Sequence, residues 1–435
     1  MIKRTYQNNR LTSAIAPHKG RSCACRASRK GLDIHMNVAL LGFGTVGSGV
    51  ADMLTQNKDV LYARAKAPVD LKYILDIRDF PNSPYEKLFV KDFSVIEADP
   101  SVDVVVEVIG GATKAYEFTK RALLAGKSVV SSNKELVATH GTELLAIAKE
   151  KGVYYLFEAA VGGGIPALSP LVDDLSHNRI SEVSGILNGT TNYILTQMFT
   201  QGAPFSAALA EAQAKGYAEK DPTADIEGID VCRKIAILAA LAFGAMVPAA
   251  AIHTEGITAI RKEDVAAAEK IGCSIKLLGR AIKENDGDLY IMVAPFLIPK
   301  SLPLAEISGV YNGVLIRGNF VGDVMLYGRG AGSYPTASAV VADVDHIARG
   351  TVARPAWTDA KEGTPSDFSS FFCRHYVVAE GAEQSAIGII FGEIEPISGE
   401  ENAFLTPMLS ESNWESCKER FAACGGKIVS HIRLY

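Results

Sequence analysis

The sequence feature that most constrains the fold is a glycine-rich turn that begins at Gly42. An apolar run at residues 38–41 predicts a buried strand, Gly42-Phe-Gly44-Thr-Val-Gly47 follows it at once, and residues 48–54 have a helical pattern. Glycines spaced as G-x-G-x-x-G between a strand and a helix are typical of dinucleotide-binding folds. They permit the tight turn, the approach of a pyrophosphate to the backbone, and close packing of the helix on the strand. The motif predicts a Rossmann-type α/β domain, with a glycine turn that binds nothing as the alternative.

A second predicted strand ends where the ribose of a dinucleotide should lie. It covers residues 71–75 and is followed by Asp76 and Arg78. Asp76 would accept a hydrogen bond from a ribose 2′-hydroxyl, whereas Arg78 would neutralise a 2′-phosphate. The sequence therefore leaves NAD and NADP both open as the cofactor.

A cationic side chain follows a later strand of the same domain. Two further buried strands are predicted within residues 102–111 and 127–134, and the second ends in Asn133 and Lys134. The carboxyl ends of parallel strands line the ligand crevice of doubly wound sheets. We therefore expect Lys134 to meet cofactor or substrate, the alternative being a surface lysine that caps a strand.

An acidic segment precedes an apolar helix in the middle of the chain. Residues 216–234 contain five carboxylates, and residues 235–243 are apolar. Asp230 and Lys234 are four residues apart, so a helix would place them on one face, with the acid on the N-terminal side. An amine beside a carboxylate at the edge of a cavity indicates a catalytic site. The alternative is an exposed ion pair, which would contribute only about 0.3–0.5 kcal/mol to stability.

Charge is distributed unevenly along the 435 residues, whose formal net charge is −5. Residues 1–35 hold eight basic residues against the single acid Asp33, and the remaining chain is acidic, which argues against nucleic acid as the main partner. Met36 stands immediately before the first predicted strand. We therefore expect residues 1–35 to be a disordered extension upstream of the true start, with a transit peptide as the second interpretation and nucleic-acid binding as the third.

The cysteines and the longest uncharged segment bear on the cellular context. Seven cysteines occur without a C-x-x-C pair, which favours reduced thiols in the cytoplasm. Cys23 and Cys25 lack the spacing of a zinc site.

Residues 235–252 carry no charge, but Gly244 and Pro248 interrupt them. A buried helix followed by a turn is therefore expected there rather than a membrane span.

Several long motifs together resemble homoserine dehydrogenase, the enzyme that interconverts aspartate β-semialdehyde and homoserine. The resemblance extends from Met36 to about Gly350 and rests on residues 42–50, 132–138, 157–166, 185–195, 216–234 and 327–341. It implies an NAD- or NADP-dependent oxidoreductase with a small amino acid substrate. It also implies a homodimer or homotetramer and a role in threonine, methionine and isoleucine biosynthesis.

The resemblance assigns roles to individual residues. Lys234 would be the general acid and base, with Lys134 and Asp230 beside it. The implied substrate contacts are Glu219, Asp225, Asp230 and Lys134. The implied cofactor contacts are Gly42, Phe43, Gly44, Thr45, Val46, Gly47, Asp76, Arg78, Ser132, Lys134, Gly216 and Gly332. A structural sodium ion (Na+) would be bound by the backbone carbonyls of Glu158, Val161, Gly163 and Ile165.

The implied chemistry suits these residue types. Reducing an aldehyde requires a hydride at carbon and a proton at oxygen, whose negative charge grows during the transfer. A lysine ammonium can stabilise that charge and donate the proton. Two alternatives stay open: a dehydrogenase of another amino acid aldehyde, and a regulator that binds a dinucleotide without turnover. A proton donor such as Lys234 favours an enzyme.

Motifs and breaks divide the chain into domains. A dinucleotide-binding domain is predicted at residues 36–155 plus about 333–350, and an α/β substrate and dimerisation domain at residues 156–332. Residues 351–370 are polar and punctuated by proline and glycine, which predicts a linker. Residues 371–435 resemble a C-terminal α+β ACT-like (ferredoxin-like) domain, two helices on a four-stranded antiparallel sheet. Because residues 379–386 lack the usual Asp-x-Pro-Gly turn, we expect a degenerate domain used for dimer contacts, with effector binding as the second interpretation.

Overall fold

The computed structural model describes residues 35–284, 287–353, 357, 363–381, 384–400 and 402–435. The extension predicted at residues 1–35 lies outside the described residues, except for His35. Cys23 and Cys25 lie outside them as well. Within the described ranges, no helix combines the length and apolarity needed to cross a bilayer. The uncharged segment at 235–252 contains the end of a buried helix that stops at Phe243, and Gly244 follows in the left-handed conformation, as the sequence predicts.

The first sheet is parallel and has the strand order of a dinucleotide-binding fold. Its six strands lie in the order β3-β2-β1-β4-β5-β6, and every pair is parallel. This order confirms the predicted Rossmann-like domain, whose ligand crevice opens where the strand order reverses. The strands are β1 (Met36–Leu41), β2 (Val69–Leu75), β3 (Phe89–Val90), β4 (Val102–Glu107), β5 (Ser128–Ser131) and β6 (Tyr155–Leu156). The helices are α1 (Thr45–Gln56), α2 (Lys58–Ala65), α3 (Phe93–Ala98), α4 (Thr113–Leu124) and α5 (Lys134–Lys151).

The second sheet is mixed and supports the helix that begins at Ile229. Its strands follow the order β12-β11-β7-β9-β10, and β8 pairs with β10 outside this path. The strands are β7 (Ile180–Ile186), β8 (His253–Thr254), β9 (Cys273–Lys283), β10 (Leu289–Pro299), β11 (Tyr311–Gly318) and β12 (Gly322–Arg329). The helices are α6 (Ala159–Gly162), α7 (Leu168–Val172), α8 (Gly189–Gln201), α9 (Phe205–Ala214), α10 (Thr223–Ile226), α11 (Ile229–Phe243) and α12 (Lys262–Lys270).

Helix α11 packs closely on this sheet because β9 contains a glycine at the contact. A Cβ atom at Gly279 would stand 2.9 Å from Cβ of Ile235 and 3.0 Å from Cγ1 of Val231. Both helix residues are fully buried. The contact sets the height of α11 above the sheet and thereby the position of its charged first turns.

Helix α13 (Ser333–Arg349) follows β12 and packs on α1 of the first domain. A Cβ atom at Gly49 of α1 would stand 2.8 Å from Oγ of Ser333. The Ser333 hydroxyl donates to the Thr45 carbonyl, and Arg64 forms an ion pair with Asp345 at 3.1 Å. The segment that leaves the second domain thus lies against the helix that follows the glycine turn.

The C-terminal unit continues the second sheet. Strand β18 pairs in parallel with β10, and the order extends as β10-β18-β14-β16-β15. The last four strands are antiparallel to one another, and the two helices pack together. The elements are β13 (Phe372–Cys373), β14 (His375–Glu380), α14 (Gln384–Phe391), β15 (Glu395–Pro396), β16 (Ala403–Leu405), β17 (Leu409–Ser410), α15 (Glu411–Ala423) and β18 (Lys427–Leu434).

The segment predicted as a linker carries a buried aromatic anchor. Trp357 is fully buried, and its Nε1 donates to Oγ1 of Thr142 at 3.0 Å. Its ring packs on Gly141, where a Cβ atom would stand only 2.6 Å from the indole. Trp357 therefore anchors this segment to α5, the helix that begins with Lys134.

Trp357→Ala should destabilise the protein by about 3–5 kcal/mol, because it leaves a large cavity against α5. The free energy of unfolding from urea denaturation measures the effect. Tyr62→Ala, at a side chain that is 56% exposed, serves as the control and should change stability by less than about 0.5 kcal/mol. Equal stability of the two variants would contradict the anchoring role.

Candidate active site

A polar cleft lies where the first two domains meet. Its cavity volume is about 580 Å³, and residues from both domains line it. The first domain contributes Val46 of the glycine-turn motif and the N-terminus of α5, whereas the second contributes α11 and the loops around it. The lining includes Val46, Ser132, Lys134, Asn188, Gly216, Glu219, Asp225, Asp230, Lys234 and Gly332. The residues predicted from the acidic segment and from the strand tip are thus brought together.

Asp230 is the centre of a buried charge cluster at this cleft. Its Oδ2 lies 2.8 Å from Nζ of Lys234, and its Oδ1 lies 2.8 Å from Nζ of Lys134. The carboxylate is 4% exposed. Burial acts to raise the pKa of Asp230, but the two ammonium groups outweigh it and hold the pKa well below its usual range. Asp230 therefore stays ionised and holds two cations at one place.

Lys234 is oriented by two acceptors. Its ammonium donates to the Leu187 carbonyl at 2.7 Å and to Asp230 Oδ2 at 2.8 Å. A lysine ammonium has three N–H donors, so one remains for a ligand in the cleft that Lys234 lines. The i,i+4 prediction is confirmed, because α11 begins at Ile229. The alternative of an exposed ion pair is wrong, because the Lys234 side chain is only 10% exposed.

Lys134 owes its position to a hydrogen-bond network at the start of α5. Asn133 caps the helix by accepting from the Leu136 N–H at 3.0 Å, and its own amide donates to the Gly111 carbonyl at 2.7 Å. The Asn133 N–H donates to the Ser131 hydroxyl, which donates in turn to the buried carboxyl of Glu107. This network, rather than strand capping at the surface, directs Lys134 toward Asp230.

Glu107 is a site-supporting residue that the sequence reasoning missed. It is fully buried at the end of β4, and burial raises its pKa to about 7. Its carboxyl also accepts from the Ile109 N–H at 2.7 Å. A polar residue that ends an otherwise apolar parallel strand was the available signal, because such strand ends face the ligand crevice.

Asn188 is a second residue that the sequence reasoning did not single out. Its side-chain amide donates to Asp230 at 2.9 Å and to Asp225 at 2.8 Å, while its Oδ1 caps α8 at Thr191. Asp225 is half-buried, and burial raises its pKa. Asn188 therefore links two carboxylates of the acidic segment. Glu219 lies on an exposed loop of the same cleft.

The glycine turn has the geometry that the motif predicts. Gly42 has a φ of +97°, a conformation that favours glycine. A Cβ atom at Gly47 would stand 2.0 Å from the Gly42 carbonyl oxygen, so only glycine fits there. Helix α1 begins at Thr45, and the first turn of a helix in this position is where dinucleotide-binding folds place a pyrophosphate.

Asp76 and Arg78 form one unit after β2. Oδ2 of Asp76 accepts from the Phe43 N–H at 2.8 Å and from Nη2 of Arg78 at 2.9 Å, while Oδ1 accepts from Nε of Arg78 at 3.0 Å. Asp76 was predicted to receive the ribose 2′-hydroxyl. Both of its oxygens are bonded within the protein, whereas the Arg78 side chain is 58% exposed.

Fold and site together define an oxidoreductase that uses a nicotinamide dinucleotide. The parallel sheet supplies the dinucleotide turn, and the second domain presents a lysine and carboxylates beside it. Family models agree: residues 42–158 match the homoserine dehydrogenase NAD-binding domain, and residues 166–344 match the homoserine dehydrogenase model.

Comparison with individual proteins indicates the same family. The chain is 40% identical to a homoserine dehydrogenase of Bacillus subtilis over 373 residues, covering 82% of this chain and 85% of the relative. The crystal structure of a homoserine dehydrogenase from Thiobacillus denitrificans superposes with a TM-score of 0.84 at 36% identity, covering 92% of this chain and 98% of that chain. A hyperthermophilic archaeal homoserine dehydrogenase in complex with NADPH has a TM-score of 0.62 at 27% identity, covering 72% and 97% of the two chains.

The chain therefore belongs to the homoserine dehydrogenase family. This confirms the resemblance inferred from the motifs and an NAD(P)-dependent oxidoreductase of amino-acid biosynthesis. The alternative of a regulator without turnover is not supported by these comparisons.

Glu107→Gln should change how stability depends on pH. At about pH 4 the carboxyl is protonated in folded and unfolded chains alike. The ordinary pKa of a glutamate, which applies in the unfolded chain, is 4.5, whereas the pKa in the folded protein is about 7. Between these two pH values only the unfolded chain loses the proton, so the free energy of unfolding falls as pH rises. The variant should lack this decline, which amounts to about 3 kcal/mol between pH 4.5 and 7.

Urea denaturation at pH 5, 6 and 7 measures this difference. Glu150→Gln, at a side chain that is 75% exposed, is the matched control and should parallel the unaltered protein. If the free energy of unfolding of Glu107→Gln also changed with pH in parallel with that of the unaltered protein, Glu107 would not bind its proton more tightly in the folded state.

Proposed function

We propose that this protein reduces L-aspartate 4-semialdehyde to L-homoserine with NADPH in the cytoplasm, and that Lys234 exchanges the proton. One observation carries the proposal. The Lys234 ammonium is fixed by Leu187 and Asp230 in a cleft that is also lined by Val46 of the dinucleotide turn. Family membership supports the substrate, because the matched relatives are homoserine dehydrogenases.

The side chains of the cleft have separate roles in the reaction. When bound, the reduced dinucleotide supplies a hydride to the carbonyl carbon of the aldehyde. Lys234 stabilises the negative charge that grows on the carbonyl oxygen and donates a proton to it. Lys134 adds a second positive charge at the reacting end, and Asp230 keeps both ammonium groups in place.

The acidic segment binds the amino acid part of the substrate. Asp230, Glu219 and Asp225 offer carboxylates to the α-ammonium group from the same side of the cleft as α11. The Glu219 loop is tied to α9 by Gln213, whose amide donates to the Glu219 carbonyl at 3.1 Å. The α-ammonium of the substrate thus meets carboxylates, which favours an aldehyde with an ammonium group over one without it.

Lys234→Ala should lower turnover by about 100- to 10,000-fold while cofactor affinity stays nearly the same, because the proton donor is lost and the turn is untouched. Homoserine oxidation, followed by the absorbance of the reduced nicotinamide, measures turnover. Fluorescence titration with NADPH measures affinity. Lys262→Ala, at a side chain that is 62% exposed on α12, is the control. Unchanged turnover in Lys234→Ala would exclude the assigned role.

The pairing of Asp76 with Arg78 supports NADP as the preferred cofactor. Asp76 holds the guanidinium in an exposed position, and Lys91 lies beside it, donating to the Asp76 carbonyl at 3.1 Å. Two cations near the end of β2 suit a 2′-phosphate better than a 2′-hydroxyl.

Arg78→Ala should raise the KM for NADPH by about 10- to 100-fold, because a charge-assisted hydrogen bond to the 2′-phosphate is lost. The KM for NADH should stay equal or fall, since Asp76 is released for the ribose. Lys58→Ala, at the opposite end of β2 beside Asp70, is the control for general charge effects. An equal loss with both cofactors would argue against phosphate recognition by Arg78.

The loop after β6 fits a structural sodium ion bound through the backbone. Gly163 has a φ of +57°, and the loop lies against Gly330. The Glu158 carboxylate accepts three N–H groups at the start of α7, from Ala167, Leu168 and Ser169. Coordination by Glu158, Val161, Gly163 and Ile165 would therefore use their carbonyl oxygens, which hard cations prefer.

We also propose a homodimer or homotetramer with a degenerate ACT-like C-terminal domain. Strand β12 is at the edge of the second sheet, and the nearby Phe320 is 89% exposed. Exposed edge strands are templates for pairing with another chain. Apart from the two-residue strand β17, which pairs with β13, the elements of residues 375–434 follow a strand–helix–strand–strand–helix–strand order, and this order supports the ferredoxin-like assignment.

A further inference from the structure

Three potential metal ligands meet in the interior of the C-terminal unit. They are Cys373 on β13, His375 on β14 and Glu411 at the start of α15. Sγ of Cys373 lies 3.5 Å from Nε2 of His375 and 3.5 Å from Oε1 of Glu411. The three ligand atoms lie within 4.8 Å of one another, and all three residues are buried. The catalytic cleft, in contrast, is lined by residues between 46 and 336.

The ring of His375 is held in an orientation that suits a ligand. Its Nδ1 lies 2.7 Å from Nε2 of His431, and the ring stacks on Trp414 with centroids 4.7 Å apart. With the proton on Nδ1, Nε2 directs its lone pair toward Cys373. Metal-binding histidines commonly donate their second ring N–H to a carboxylate, a carbonyl or water that fixes the ring, and Nε2 of His431 would be the acceptor here.

The charges around the cluster favour a divalent cation. Arg433 binds the Glu411 carboxylate through two hydrogen bonds, at 2.6 and 2.9 Å, and contacts Glu255 at 2.8 Å. Arg433 and its two carboxylate partners together carry a formal charge of −1, and Arg280, whose charge also acts on Cys373, is paired with Glu182 at 2.9 Å. A divalent ion that displaces the thiol proton of Cys373 to solvent brings the formal charge to zero.

We propose that Cys373 Sγ, His375 Nε2 and Glu411 Oε1 bind a divalent transition-metal ion of the zinc type. A thiolate, an imidazole and a carboxylate form a ligand set that binds zinc in preference to magnesium or calcium. Cys373 and His375 are two residues apart on extended chain, which places their side chains on one face. His431 and Arg433 orient two of the ligands. The ion would join β13, β14 and α15 and so stabilise the C-terminal unit.

Cobalt(II) titration of the full-length protein tests the proposal. The background should carry Cys23→Ser, Cys25→Ser and Cys424→Ser, because Cys424 is exposed and these thiols could bind cobalt on their own. We expect a thiolate-to-cobalt charge-transfer band that saturates at one equivalent per chain. Cys373→Ser should abolish the band, and His431→Gln should weaken binding by about 10- to 100-fold.

Cys417→Ser is the matched control, because Cys417 is a buried thiol of the same unit that donates to the Ile390 carbonyl. It should keep the band. Zinc should raise the melting temperature of the background protein and of Cys417→Ser but not of Cys373→Ser. Circular dichroism and NADPH-dependent turnover check that each variant is folded. Absence of the band in the background protein, or its persistence in folded Cys373→Ser, would overturn the proposal.

Discussion

The buried carboxylate of Asp230 is the interaction on which the catalytic arrangement depends. Moving one charge out of water costs several kcal/mol, so the buried Asp230 and Lys234 depend on each other at the cleft, and the partly exposed Lys134 adds a second cation. Lys134 belongs to the first domain and Asp230 to the second. The ion pair between Lys134 and Asp230 therefore joins the two domains at the cleft.

Rigid elements support each member of this cluster. Helix α11 lies on the sheet backbone at Gly279, which leaves its first turns little freedom to shift. The start of α5 is held by Asn133 and by the buried pair of Ser131 and Glu107. Packing and hydrogen bonds behind the site hold the charged side chains in place. These side chains therefore need little rearrangement during the reaction, which lowers the free-energy cost of reaching the transition state.

The C-terminal unit is attached to the second domain by strand pairing and by a side-chain hydrogen bond. Strand β18 adds to β10, and Tyr435 donates from its hydroxyl to the buried Glu182 at 3.0 Å. Main-chain hydrogen bonds across a continuous sheet transmit position more directly than a polar linker would. The C-terminal unit therefore pairs directly with β10, which lies next to the strand beneath α11.

The sequence alone determined the features that depend on local spacing. The glycine turn at 42–47, the i,i+4 pair of Asp230 and Lys234, and the end of α11 at Gly244 follow from the geometry of single elements. Only the tertiary structure decided which distant residues meet. Lys134 reaches Asp230 across nearly a hundred residues, Arg78 takes up both oxygens of Asp76, and Cys373 faces Glu411. Such contacts depend on how sheets and helices stack, because the periodicity of a segment specifies its own face but not the partner that the face will meet.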